Sequence, residues 1–581
     1  MYHWITVLNR FDDILADVTG KYELHGLQKT EFDPNTQKTL VAILRFSRLL
    51  MENCVNRSLY SSVEYLDCLL YTSDPEVLEA TLRVLVRSAP RWSYQRDIKA
   101  NLAVFSSRLM IIASPWNLKK DVVTFIDDNE SGDAATHTNE FRLLVQERTT
   151  SVLQQHADTI HFQFFRTADD VKRIEEEESS SGVGAGGVTG SRRAQAKKPH
   201  GQTTLPIAEG LVTIDVPVDE LCQDATNSIH KQAEQALGKL VAKFRVPHTH
   251  QYELRHRIYV ALAFARGDTQ LRLSLLRSRI NAATVLSQLM NEQEFKNLFL
   301  SREPNFTSDI ITLLQPEVHA PLSLQTTVLL ALEGLLKQRR EVSGAYVSLN
   351  ASANHGVLMF ILRKALTTSD ETPVFPYEFM SALYGFLTNM TVTMNGGQLL
   401  VSAGAVPVFV SALKQTHPKH LRGVGRVARL LWSVISGVNP AFPAFCGANG
   451  IAALVQRMNA EVLNAVAIGE ASADPTSDLS SPVTMPPFSE YPQQVYRRRE
   501  ILPPENIYLL KELFKLLCNL MQQPSYQDRL RNLVETDLPE TLRIVVTNPG
   551  VFGNNIYGPA VSISAMLVHN EPTSLPILQE A

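Results

Sequence analysis

Cysteine is scarce in this chain of 581 residues. The five present, Cys54, Cys68, Cys222, Cys446 and Cys518, lie far apart and form no CxxC pair. An odd, dispersed set excludes a disulfide framework or a zinc knuckle. It fits a reducing compartment in which each thiol is a small core side chain. No GxxxxGK[ST] loop occurs, and Gly423-x-Gly425 lacks a preceding strand and a third glycine, so nucleotide chemistry has no signature. A run of 18 apolar residues is missing, which predicts no membrane span. The start, MYHWITVLNRFDD, has neither the basic region nor the apolar core of a signal peptide. Charge of one sign is also missing. Lys+Arg 55 against Asp+Glu 59 gives −4, which argues against a dedicated nucleic-acid binder. No cysteine sits in a recognisable nucleophile–base context, so no catalytic residue, cofactor or metal is assigned. His248, His250 and His256 in HTHQYELRH have chelating H-x-H spacing. No cysteine or carboxylate cluster accompanies them, and they read as the polar entry to a helix.

What the chain does have is a repeated phrase. One copy is LTNMTVTMNGGQLLVSAGAVPVFVSAL, Leu387 to Leu413, and a second is LWSVISGVNPAFPAFCGANGIAALVQRM, Leu431 to Met458. A weaker third runs from Leu516 to Val546. Each is the end of an apolar helix, a polar loop, a short helix, a small-residue turn and a second apolar helix. Ala405 and Gly450 align 45 positions apart, within the armadillo/HEAT period. Such units cannot bury their apolar faces alone and stack into solenoids. The fold class predicted is all-α, an armadillo/HEAT-like α-solenoid interrupted by disordered loops. Its function is expected to be recognition along a long surface.

Residues 1–168 read as a HEAT-like helical region. Asp74 is placed to cap a helix whose first turn holds Pro75, and Leu78, Leu82, Leu85 and Ala89 form its stripe. Residues 169–215 read as a disordered linker, on the strength of a four-glutamate run, the tract SSSGVGAGGVTGS and then Arg192, Arg193, Lys197 and Lys198. Helices are expected again over 216–366, and armadillo-like repeats over 367–581. A disordered insertion is expected at 467–504. The chain is expected to end mid-repeat, with Ile563, Met566 and Leu567 exposed on the last long helix, as a piece of a longer protein.

Candidate binding residues come from two patterns. Arg255, Arg257 and Arg272 belong to arginine-rich helices that could meet an acidic partner, RNA or a histone. Armadillo grooves of nuclear-import adaptors carry a Trp and an Asn four residues apart on the third helix. Here the copies offer Gly385 with Asn389, Trp432 with Ser436, and Lys515 with Asn519. Asn389, Trp432 and Asn519 are the candidates, but no copy keeps both residues.

The stretches Glu52 to Arg87 and Leu322 to Leu366, and the terminal HNEPTSLPILQEA, resemble the N-terminal region of very large HECT-type E3 ubiquitin ligases. These are the Mule-like ligase of animals and its fungal and plant relatives. The resemblance implies a scaffold that recruits protein substrates, with a distal HECT domain accepting ubiquitin from an E2. It implies a nuclear and cytoplasmic location and no membrane partner. No segment here resembles the HECT domain, so enzyme activity belongs to the parent and not to these residues. A stand-alone armadillo adaptor and an RNA- or histone-associated module are the alternatives. Limited proteolysis is expected to cut first within 175–199 and 467–504. First cuts inside Leu322 to Leu366 would contradict this domain map.

Overall fold

Helix boundaries fall where the sequence supplies caps. Asp74 Oδ1 accepts the amides of Glu76 at 3.0 Å and Val77 at 3.1 Å, and Pro75 opens the helix Pro75–Trp92. Asp268 and Ser228 do the same for Thr269–Leu289 and Ile229–Phe244. The computed structural model describes residues 2–21, 32–53, 63–92, 102–114, 123–125, 141–143, 159–181, 209–221, 228–266, 268–336, 342–350, 356–366, 375–472, 502–570 and 575–576. They fall into two compact units, Met1–Gln338 and Arg339–Ala581.

The first unit is built around Thr269–Leu289, which packs against Pro75–Trp92, Leu102–Ala113, Leu322–Leu335 and His248–Ala265. A helix with neighbours on several sides is apolar or small all round. Accordingly Ser274, Ser278, Asn281, Ala282, Ala283, Thr284 and Ser287 are buried beside Leu271, Leu275, Ile280, Val285 and Leu286. Two of the short polar side chains bond to their own helix: Thr284 donates to Ile280 O at 2.7 Å and Ser287 to Thr284 O at 2.7 Å.

Strands appear where helix and linker are expected. Thr159–Arg166 pairs antiparallel with Gly210–Pro217, from Thr159 opposite Pro217 to Arg166 opposite Gly210. Ile160, Phe162, Phe164, Ile214 and Val216 fill one face and join a core with Leu237, Leu240, Leu254 and Ile258. The alternation in TIHFQFFR and LVTIDVP is the physical reason: period two buries one face of a strand and cannot do so on a helix. Ala168–Ser181 is helical, so both ends of the segment read as a linker are ordered. Residues 182–208, with the Ser/Gly tract and the basic cluster, lie outside the described residues. A second short pair joins Val123–Phe125 to Phe141–Leu143.

The second unit is a two-layered stack. Tyr377–Val392, Leu421–Gly437, Pro504–Met521 and Asn554–Asn570 pack in series as one layer. Gly356–Leu366, Ala405–Leu413, Gly450–Ser472 and Leu538–Thr547 pack in series as the other. The short helices Met394–Ser402 and Ala441–Gly447 are the middle pieces of the repeated phrase. Gly356–Leu366, Ala405–Leu413 and Gly450–Ser472 are each entered through a left-handed residue, Gly356 (φ 90°), Gly404 (φ 85°) and Asn449 (φ 58°), whereas Leu538–Thr547 follows Asp537 at φ −68°. The all-α solenoid of stacked repeats is therefore the architecture, with the small sheets as additions to it.

Leu400 and Leu430 are buried on the stripes of the repeat. Three expectations meet the structure here. The last long helix does not present the apolar face expected of it: Ile563 and Leu567 are buried and Met566 is half-buried, and the helix packs against Pro504–Met521 and Leu538–Thr547. Its neighbours already cover the stripe. Within Gly450–Ser472, the stretch Gly450–Gly469 is long and apolar enough to cross a membrane by length and composition alone. It nevertheless carries the buried pair Arg457–Glu461 and packs on three helices of the stack, which marks it as a core helix. Residues 467–472, expected to belong to a disordered insertion, are helical, and 473–501 lie outside the described residues.

Gly425 sets the closest approach in the first layer. A Cβ there would stand 2.7 Å from the Tyr508 ring and 3.4 Å from Leu509 Cα. Gly425→Ala is expected to push Leu421–Gly437 off Pro504–Met521 and cost about 1–3 kcal/mol by overpacking. Leu430→Asp is expected to cost about 3–5 kcal/mol as a buried unpaired carboxylate. Urea unfolding followed by circular dichroism checks both, and unchanged midpoints would contradict this packing.

Candidate binding cleft

A cleft of about 870 Å³ opens in the first unit between Pro34–Asn53, Pro75–Trp92, Ile229–Phe244 and the start of Thr269–Leu289. Its volume lies within the range of ligand-sized sites. Leu44, Ile229, Leu271 and Tyr259 supply apolar surface. Arg45, Arg48, Arg83, Arg266 and Arg277 supply cations, against Glu76, Glu79 and Asp268. The lining carries more positive than negative groups.

Glu79 organises the floor. Its Oε2 accepts from Arg277 at 2.7 Å and Ser274 at 2.9 Å, while Oε1 meets Arg83 at 3.0 Å. Arg277 also donates to Ser323 at 3.1 Å. The largely buried carboxylate is thus held between two guanidinium groups and a hydroxyl. One wall is fixed by His230, whose Nε2 lies 3.2 Å from the Tyr259 hydroxyl. Arg45 is exposed at the mouth. The cleft can therefore accommodate an elongated, partly apolar segment with acidic groups, fixed by rigid helices on every side.

The residues singled out by sequence are not gathered in this cleft. Arg255 is 4% exposed, donates to Tyr71 O at 2.6 Å and stands 3.6 Å from Glu234. Beside it the Tyr252 hydroxyl donates to Leu70 O at 2.7 Å, and burial pushes that phenol up to about 12. Arg108 lies over the Tyr71 and Tyr252 rings at 3.3 and 4.3 Å. Arg257 pairs with Glu253 one turn away at 2.8 Å. Arg272 donates to Ala263 O at 3.2 Å. Asn389, Trp432 and Asn519 belong to the second unit, on three successive helices of one layer, each half-buried. Cys518, also half-buried, has its thiol pushed up by burial, the opposite of an activated nucleophile. No group of three or more metal-ligating side chains occurs among the described residues. The cleft arginines on the two N-terminal helices went unremarked in the sequence. The signal was the i, i+4 pairing of Glu79 with Arg83, which reads as an ordinary helix-surface pair.

Comparison with known proteins places this architecture. A family model described as Domain of Unknown Function (DUF908) matches residues 35–367. The chain belongs to this family. A second model, Domain of Unknown Function (DUF913), matches residues 425–581 of this DUF908 chain. Over its whole length the chain is 25% identical to the E3 ubiquitin-protein ligase ptr1 of Schizosaccharomyces pombe, of which it covers 16%. It is likewise 25% identical to UPL1 of Arabidopsis thaliana, covering 14%, and 23% identical to HUWE1 of Mus musculus, covering 12%. The resemblance to ubiquitin ligases thus extends over the full DUF908 chain. The chain spans only a small part of the length of these relatives.

His256 gives this DUF908 chain a built-in pH dependence. Burial, reinforced by Arg257 and Arg255, lowers its pKa from 6.5 to about 4, and its Nε2 is enclosed without a partner. The unfolded chain therefore binds the proton first as pH falls. The stabilisation from a neutral His256 is complete above pH 6.5 and is lost progressively towards pH 4, by at most about 3 kcal/mol. His256→Phe is expected to flatten the stability profile between pH 6.5 and 4, measured by urea unfolding at each pH. An equally steep profile in the variant would contradict this.

Proposed function

We propose that this chain is a non-catalytic, partner-binding arm of a HECT-type E3 ubiquitin ligase. It holds a protein substrate on its solenoid surfaces while ubiquitin transfer takes place elsewhere in the parent protein. The observation that carries this reading is the match along the entire chain to proteins named E3 ubiquitin-protein ligases, at a small share of each. An arm that extends far from a reaction centre suits capture, because stacked repeats give a long, rigid surface at low folding complexity. The partners in this reading are substrates of ubiquitination. The E2 carrying ubiquitin engages other domains, and the location is nucleus and cytoplasm.

The geometry supports capture in the first unit through the cleft beside Glu79, where helices from distant parts of the chain fix a wall of arginines. The stand-alone adaptor is weakened by the full-length match to ligases. The RNA- or histone-associated reading is weakened by the fate of Arg255, Arg257, Arg272 and Arg279. Each donates to a carbonyl or carboxylate of its own unit.

Two measurements test the proposal. Incubated with E1, E2 and ubiquitin, the chain is expected to form no thiol-sensitive adduct; an adduct lost on replacing one of its five cysteines would make it catalytic. Deleting residues 1–581 from the parent is expected to leave self-ubiquitination intact while a subset of cellular proteins loses ubiquitin. An unchanged ubiquitinated proteome would remove the capture role.

A further inference from the structure

Arginines in this chain are mostly tied down within it, but three in the second unit are not. Arg422, Arg426 and Arg429 lie on one side of Leu421–Gly437. Among the described residues none of the three forms an ion pair or a side-chain hydrogen bond. Arg422 and Arg429 are exposed, and Arg426 is half-buried. Their company is aromatic. The Arg422 guanidinium lies 5.2 Å from the centre of the Tyr377 ring, and that of Arg426 lies 5.5 Å from the centre of Tyr384. All three act electrostatically on the Tyr508 hydroxyl.

The backbone is shaped to admit these rings. A Cβ at Gly423 would sit 3.1 Å from the Tyr384 hydroxyl, and one at Gly425 would sit 2.7 Å from the Tyr508 ring. Two glycines two residues apart thus seat two tyrosines, from the helices on either side, against the arginine helix. This costs helix propensity, since each glycine is about 1 kcal/mol worse than alanine there. The result is a row of guanidinium groups on the middle helix, flanked by Tyr377 of one neighbouring helix and Tyr508 of the other, with Tyr384 buried beneath it. Glu378, Glu505 and Glu512 are the acids on the two flanking helices nearest this row, and none of the three arginines is in an ion pair with them; Glu512 is buried, one turn from Tyr508.

We infer that this face binds an extended acidic segment of a partner protein, its carboxylates on Arg422, Arg426 and Arg429 and its backbone along Tyr377 and Tyr508. Arg422 and Arg426 are about 6 Å apart along the helix axis, close to the roughly 6.6 Å between alternate residues of an extended peptide. Guanidinium groups are suited to paired hydrogen bonds with carboxylates, and the tyrosines beside them offer flat apolar surface. A long nucleic acid is disfavoured by the chain's overall charge of −4, which repels an extended polyanion but matters little to a short segment. The inference adds a ligand class to the second unit and does not depend on the parent being a ligase.

The test is fluorescence anisotropy with the full chain and a labelled eight-residue peptide alternating Glu and Ser, at low and high salt. The Gln counterpart and an oligouridylate of equal charge are the comparison probes. The acidic peptide is expected to bind and to weaken with salt, while the Gln peptide does not bind. Arg422→Ala with Arg429→Ala is expected to weaken binding at least tenfold with an unchanged circular-dichroism melt. Arg422→Lys with Arg429→Lys is expected to retain part of it, and replacement of the exposed Arg302 in the first unit, outside the cleft, by Ala to change nothing. The inference is overturned if the peptide does not bind, if the alanine pair binds as well as the parent chain, or if Arg302→Ala abolishes binding instead. Tighter binding of oligouridylate, lost in the same alanine pair, would reassign the face to nucleic acid.

Discussion

The last carbonyls of a helix have no partner in their own helix, and inside a packed array water cannot reach them all. That constraint organises much of this chain. Arg166 donates to Phe244 O at 2.6 Å, Arg255 to Tyr71 O, Arg272 to Ala263 O, Arg279 to Ala113 O and Arg457 to Gln415 O. Each acceptor lies in or just after the last turn of a helix, where the backbone dipole is negative and a cation is welcome. The guanidinium group reaches across the packing interface on a long apolar stem and still donates from its tip. Burying Arg457 among apolar neighbours is tolerated because Glu461, one turn on, lies 2.9 Å away. Once arginine has this structural duty, an arginine without it stands out, which is why the row on Leu421–Gly437 reads as a surface made for something else.

Arginine also joins distant parts of the first unit through ion pairs with glutamate. Glu79 and Arg277 lie 198 positions apart in sequence and 2.7 Å apart in space. Arg87 approaches Glu52 at 3.1 Å and Glu333 at 3.9 Å. These contacts hold the N-terminal hairpins against the central helix, whose small buried residues leave room for close approach. The cleft is a by-product of that assembly. Its walls come from helices far apart in sequence: Pro34–Asn53 and Pro75–Trp92 pack on each other, and Thr269–Leu289 packs on Pro75–Trp92.

The repeat was legible because its turn is chemically demanding. Gly404 and Asn449 occupy left-handed backbone, and few residues tolerate it, so the phrase kept a recognisable signature. Capped starts such as Asp74-Pro75 were legible for the same reason. The strand pair was not, although its alternation was in plain view. Its partners, such as His161 and Asp215 at 2.5 Å, are 54 positions apart with a low-complexity tract between them, and no local turn announces a hairpin. The cleft was invisible to any local reading, since its charges come from four helices. The arginine helices were visible as basic, but sequence does not say whether a guanidinium faces solvent or another helix's carbonyl. That is decided by packing across tens to hundreds of positions.

One feature of the second unit bears on how such an array can change over time. Gln415 Nε2 donates back to Leu366 O at 2.6 Å, and the carbonyl of Gln415 in turn receives Arg457. Two successive repeats each close the helix end of the one before with a side chain of their own, and the chemistry differs between them: an amide, then a guanidinium braced by Glu461. Duplicating, deleting or swapping a repeat would leave one helix end unclosed and one side chain buried without its acceptor. The array therefore has a fixed reading order, and its repeats diverge in place where those of a consensus array could be exchanged.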